Sequence, residues 1–328
     1  MKQRMVFALD AVLVWTMCAV ALGSAGSAGC GGNAGPASSA ACDMSGDCSA
    51  DDACDDCGEH GASDAFAETE GDPGDVEMAL QMANALNPNA LNPNALNPNA
   101  LRPAVLGEFA LAASSLGDPA FAPLSAPGAS GMLSRELFRY AVRCALDASQ
   151  SVTLSWVDGH GDTLRETYRG SVGLAPSWAQ GPLVNEDEQR WVSACLAALT
   201  NWYGVEVVVS LRGPHAALAQ LSPEEATYYT VREGAFWGNL FAPEPRLWAC
   251  HEPANVAHAE AADRECAIGH PGTGPNGQTI RTPCGPITPA GACAEICTPV
   301  SSAGGFLPSC QASTGATPIA QVITTYLD

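Results

Sequence analysis

Apolar positions recur at helical spacing in two segments of the chain, and each segment carries one cysteine. In the first, Leu137, Phe138, Ala141, Val142, Ala145 and Leu146 fall three and four apart behind Ser134, which suits a helix cap. In the second, Trp191, Val192, Cys195, Leu196 and Leu199 form the stripe. Asn185 stands at its cap position with Glu188 three residues on, and Glu186 and Asp187 suit the positive end of the helix dipole. Between the two, Val152, Leu154 and Trp156 alternate with polar residues, Asp158-Gly-His-Gly-Asp162 makes a turn, and Leu164 to Tyr168 returns as the second arm of a β-hairpin. After Gly204, a strand is marked by Val205, Val207, Val209 and Leu211, with Val208 apolar on the opposite face, which indicates a central position. Ser222-Pro-Glu-Glu225 opens one or two helical turns, and the chain then runs extended through Glu233 to Phe241.

These elements predict an α+β head over residues 132–249: two main helices, bridged by Cys144–Cys195, packed on a small, mostly antiparallel sheet. From Cys250 the periodicity fades and Gly and Pro become dense. Residues 250–328 therefore read as a loop-rich segment packed on the head and stapled by bridges among Cys250, Cys266, Cys284, Cys293, Cys297 and Cys310. The sequence does not say which of these six pair with which.

The N-terminal part has a different texture. Lys2 and Arg4 precede an apolar run, Ala11 to Leu22, that fits a secretory leader and is too short to span a bilayer. Residues 1–29 read as a signal peptide. Ser27-Ala-Gly-Cys30 resembles a bacterial lipobox, with Ser27 where leucine or valine is usual, and this implies a lipid on Cys30. The alternative is ordinary cleavage near Ala28, leaving Cys30 a free thiol. Residues 30–131 hold few large apolar groups and read as a disordered tether. Its first part, Cys42 to Glu77, contains acidic residues and no Lys or Arg, so it repels itself and extends. Cys42, Cys48, Cys54 and Cys57 lie there, open to structural disulfides, a metal knot or a redox pair. Its second part repeats Asn84-Ala-Leu-Asn-Pro88 with a proline every fifth residue, which forbids a continuous helix and favours a stiff spacer.

Composition then removes whole classes of chemistry. The only lysine is Lys2, in the leader, so no Schiff-base lysine, Ser-Lys dyad or P-loop survives in the mature chain. No nucleophile elbow is present, no Gly-x-Gly-x-x-Gly follows a predicted strand, and no cofactor is expected. A formal net charge of −21 argues against nucleic acid as a partner. Three candidate sites remain, each with a plain structural alternative. Arg135, Arg139 and Arg143 line a helix face and suit an anion, or a solvated surface. Glu224, Glu225 and Glu233 are the nearest to a catalytic carboxylate pair, or are a helix cap and a strand edge. His160, His251, His258 and His270 are candidate ligands, yet no zinc spacing is met and no metal is expected.

The repeat, Arg143-Cys-Ala-Leu146, Gln189-Arg-Trp-Val-Ser-Ala-Cys195 and Glu233-Gly-Ala-Phe-Trp-Gly-Asn-Leu-Phe241 together resemble a group of uncharacterised exported proteins of myxobacteria. The resemblance spans roughly residues 84 to 310 and implies an extracytoplasmic location, without an activity or a catalytic residue. The expectation is an exported envelope protein, membrane-anchored through its N-terminal lipid or secreted, whose head is a binding module for an envelope glycan or protein. The rival expectation is an extracellular hydrolase using carboxylate and histidine chemistry.

Overall fold

The structure, a computed structural model, describes residues 81–91, 99–302 and 304–328. The leader, Cys30 and the four cysteines of the acidic stretch lie outside the described residues. In chain order the elements are β1 (Gln81–Asn84), α1 (Pro88–Leu91), α2 (Pro103–Gly107), α3 (Gly128–Ala145), β2 (Ser151–Val157) and β3 (Thr163–Arg169). There follow α4 (Glu186–Ala198), β4 (Val207–Arg212), α5 (Pro223–Tyr228), β5 (Val231–Asn239), β6 (Arg246–His251) and α6 (Val256–Ala261). The chain closes with β7 (His270–Thr273), β8 (Thr279–Thr282), β9 (Ile287–Ala292), α7 (Cys293–Ile296) and β10 (Val322–Leu327).

The fold is α+β, with a six-stranded sheet in the order β1-β4-β10-β5-β6-β9. All its pairings are antiparallel except β6 with β9. The hairpins β2–β3 and β7–β8 are separate sheets. Helix α4 is buried along Trp191 to Ala198 and lies on β5 and β10. Helix α3 packs on the other side, against α4, β3 and the short 3-10 turn Pro119–Ser125. Cys144 and Cys195 join the two helices.

Several expectations change here. The sequence places Val322–Leu327 in a loop segment, yet all six residues of this strand, β10, are buried between β4 and β5. The expected boundary at 249/250 falls inside β6. The two parts are therefore one folded unit, because the final strand completes the sheet of the first. Within residues 81–91 and 99–131 the expected tether also gives way, while its acidic first part lies outside the described residues. Leu86, Ala90, Leu91, Leu101, Leu106, Leu111, Phe121 and Leu124 are buried in the main core. The prolines start short helices, α1 and α2, where the missing N–H is not needed. Among the described residues of the repeat, Ala90, Leu91, Ala100 and Leu101 then turn inward. Ser134 does not cap α3, which begins six residues earlier; its hydroxyl donates to Ser130 O and accepts from Leu101 N, fastening the repeat's last leucine to α3. Asn185 does cap α4, but the Glu188 carboxylate turns away to accept from the Ser177 hydroxyl. Ser222 and Glu225 complete a reciprocal capping box at α5.

Candidate functional site

A groove of about 920 Å³ opens beside α2. One wall is α2 with its flanking residues Arg102 and Glu108; the others are Pro182-Leu-Val184, the loop Leu240 to Pro245, and Pro286. Five prolines, Leu91, Leu183, Val184, Leu240 and Phe241 supply most of the lining side chains, with polar atoms sharing the exposed surface. Its size falls in the range of small-molecule sites.

Hydrogen bonds fix the floor of this groove. Gln189 on α4 donates to Leu183 O at 2.7 Å and accepts from the Asn239 amide at 3.1 Å. Ser193 accepts from Leu240 N at 2.8 Å, and Asn239 accepts from Phe241 N at 2.8 Å. Leu183 N donates to Gly107 O. The Gln189-to-Cys195 and Glu233-to-Phe241 segments, distant in sequence, thus meet behind one wall. Gly107 has to be glycine for the wall to close: a Cβ there would lie 2.8 Å from the Phe241 ring. Phe241 in turn stands edge-on to the buried Trp178. Polar side chains reaching the groove are Arg102, Glu108 and Gln189, and the last is already engaged. Among the described residues Arg102 forms no ion pair.

The residues singled out from sequence are placed elsewhere. Glu224 is exposed at the start of α5. Glu225 is buried and accepts from the Ser210 hydroxyl at 2.8 Å. Glu233 is buried against Arg264 at 2.8 Å. None of the three lines the groove, so no carboxylate pair is formed there. Arg135 donates to Leu124 O and Ala126 O and covers the Trp156 ring, while Arg139 and Arg143 lie over Tyr140. The arginine row thus packs on aromatics and backbone.

His160 sits exposed at the hairpin tip, its backbone N–H held by Asp158. Near the tail, burial lowers the pKa of His251, with Arg281 adding to the effect, and His258 contacts Asp328 O. His270 stacks on Trp202 with ring centres 4.4 Å apart and points Nδ1 at Glu265 at 2.5 Å; the Tyr203 hydroxyl donates to the same carboxylate. All eight described cysteines are bridged, as Cys144–Cys195, Cys250–Cys293, Cys266–Cys284 and Cys297–Cys310. That leaves the histidines no thiolate with which to share an ion.

The groove went unseen in the sequence because one wall belongs to residues assigned to the tether. The available signal was Pro103-Ala-Val-Leu-Gly107, in which the repeat's last proline starts a turn with three apolar residues. No family model matches the chain, and no curated protein or solved structure is significantly similar to it.

Proposed function

We propose that this chain is an exported, envelope-associated binding protein, held at the membrane through a lipid on Cys30, whose head takes an apolar ligand or the apolar segment of an envelope protein in the α2 groove. The observation that carries this reading is the groove itself: a large concavity whose lining side chains are mainly Pro, Leu, Val and Phe. Four disulfides accord with an oxidising compartment, and among the described residues no helix is long and apolar enough to cross a membrane.

The test is titration of the full-length protein with N-phenyl-1-naphthylamine, a neutral fluorescent apolar probe. Val184 is 82% exposed on the groove wall, so Val184→Glu leaves the fold intact. Saturable binding weakened at least about tenfold by that variant supports the reading; a tenfold change corresponds to about 1.4 kcal/mol. No saturable binding, or equal binding by the variant, refutes it.

A second reading, an extracellular hydrolase, draws on Glu265 and His270. The carboxylate orients the imidazole as in a catalytic dyad. Among the described residues no hydroxyl or thiol is hydrogen-bonded to that ring, so the nucleophile of an acyl-transfer triad is missing. Hydrolysis of nitrophenyl esters that disappears in His270→Asn would revive it.

A further inference from the structure

Two of the four bridges among the described residues touch each other. Cys250–Cys293 ties β6 to the start of α7, and Cys297–Cys310 ties the end of α7 to the chain leading toward β10. Cys250 Sγ lies 3.5 Å from Cys297 Sγ. The sulfurs of Cys250, Cys293 and Cys297 all fall within 4.8 Å of one another. Trp237, Ile296, Leu307 and Val322 enclose them in a second apolar cluster. Cys250, Cys293 and Cys310 are at most 1% exposed, whereas Cys297 is half-buried. A thiol arriving from solvent therefore meets the group at Cys297.

The arrangement also explains why the two bridges persist side by side. A thiolate displaces sulfur from a disulfide by approaching along the S–S axis. In-line approach of Cys297 to Cys250 at the observed contact would put Cys297 Sγ about 5.5 Å from Cys293 Sγ, one bond of about 2 Å further on. The separation is instead within 4.8 Å, so Cys297 sits beside the bond rather than behind it. Its link to Cys310 withholds both the negative charge and the side-chain rotation that attack requires.

We propose that Cys250, Cys293, Cys297 and Cys310 form a thiol–disulfide exchange site that passes reduction from the accessible bridge to the buried one. An external dithiol attacks Cys297 Sγ, forming a mixed disulfide and releasing the electron pair to Cys310, which takes up a proton. The second thiol of the reductant resolves that intermediate, leaving the reductant as a disulfide and Cys297 as a thiolate. Cys297, now free to rotate, attacks Cys250 Sγ. A Cys250–Cys297 bond forms, the Cys250–Cys293 bond breaks, and the electron pair and a proton go to Cys293. The balance is two electrons and two protons from the dithiol, delivered to Cys293 and Cys310. The segment carrying Cys310 is thereby released from α7 while β6 stays tethered.

The test treats the full-length oxidised protein with one equivalent of dithiothreitol, alkylates with N-ethylmaleimide, and maps bridges by mass spectrometry without reduction. The expected main product carries a Cys250–Cys297 bridge and label on Cys293 and Cys310, with Cys144–Cys195 and Cys266–Cys284 intact. Label on Cys297 and Cys310 with Cys250–Cys293 intact overturns the relay. So does earlier opening of either of the other two bridges, or no labelling of the group under a large excess of reductant. Cys310→Ser gives an independent check that requires no reductant. The variant is expected to be isolated with Cys250 bound to Cys297 and a free thiol on Cys293, and retention of Cys250–Cys293 would contradict the proposal.

Discussion

Glu233 on β5 and Arg264 form an ion pair at 2.8 Å with neither side chain exposed. Arg264 also donates to Ala198 O and Thr200 O, at the end of α4, at 2.9 Å and 2.8 Å. One guanidinium thus closes the negative end of the central helix and neutralises a carboxylate of the sheet beneath it. The sequence leaves Glu233 either a candidate carboxylate or a strand edge. In the structure it joins α4, β5 and the turn in which Asp263 takes a left-handed φ of 55°.

Arg264→Ala leaves Glu233 buried without its partner and the end of α4 without its donors. Breaking a buried pair in this way costs about 3–5 kcal/mol. Urea unfolding should show that loss, and Arg264→Lys should recover only part of it, since an ammonium cannot reproduce the planar fork. A loss under about 1 kcal/mol would place the pair in solvent.

Leu101 is 2% exposed and Leu106 is fully buried, both in the stretch that composition assigns to a spacer. Leu101→Ala should destabilise the protein by about 2–5 kcal/mol through transfer and cavity terms. A spacer residue would change nothing, so thermal or urea unfolding of this one variant separates the two descriptions.

Burial lowers the pKa of both His215 and His251 below the ordinary histidine value. His215 Nδ1 accepts from Ala217 N at 3.2 Å, a role that protonation abolishes. With folded values depressed, the stabilising contribution is fully present above about pH 6.5 and is lost as pH falls through the folded values. The melting temperature should therefore drop on acidification below about pH 6.5. In the double variant His215→Gln, His251→Gln the drop should be shallower, as differential scanning calorimetry at stepped pH would show.

Cys144 and Cys195 are 51 residues apart in sequence, so their bridge removes substantial entropy from the unfolded chain. The loop-closure relation gives about 4 kcal/mol. The double variant to alanine should lose roughly that much in guanidinium unfolding, with the native circular dichroism retained at low temperature.

Local chemistry was legible in the sequence. Asn185 and Ser222 cap the helices that follow them because a cap depends only on the next three residues. The β2–β3 hairpin follows from its alternation and its Asp-Gly turn. What escaped depends on partners far along the chain. Val322 to Leu327 carries two threonines and gives no alternation, since a central strand is buried on both faces. Leu86 and Leu101 sit in a proline repeat whose composition suggests a tether, and their burial follows from α3 and α4 offering them a surface. The groove is hidden for the same reason, because the composition around α2 is that of a spacer. The tail, expected to be held mainly by sulfur, also encloses an apolar cluster of its own around Trp237 and Leu307.

The most direct measurement is hydrogen–deuterium exchange of the full-length protein with and without saturating N-phenyl-1-naphthylamine. Slowed exchange is expected in residues 103–108, 182–184 and 240–245, which line the groove, with little change in the β2–β3 hairpin. Unchanged exchange in those three segments, or protection confined to a different face, would contradict it.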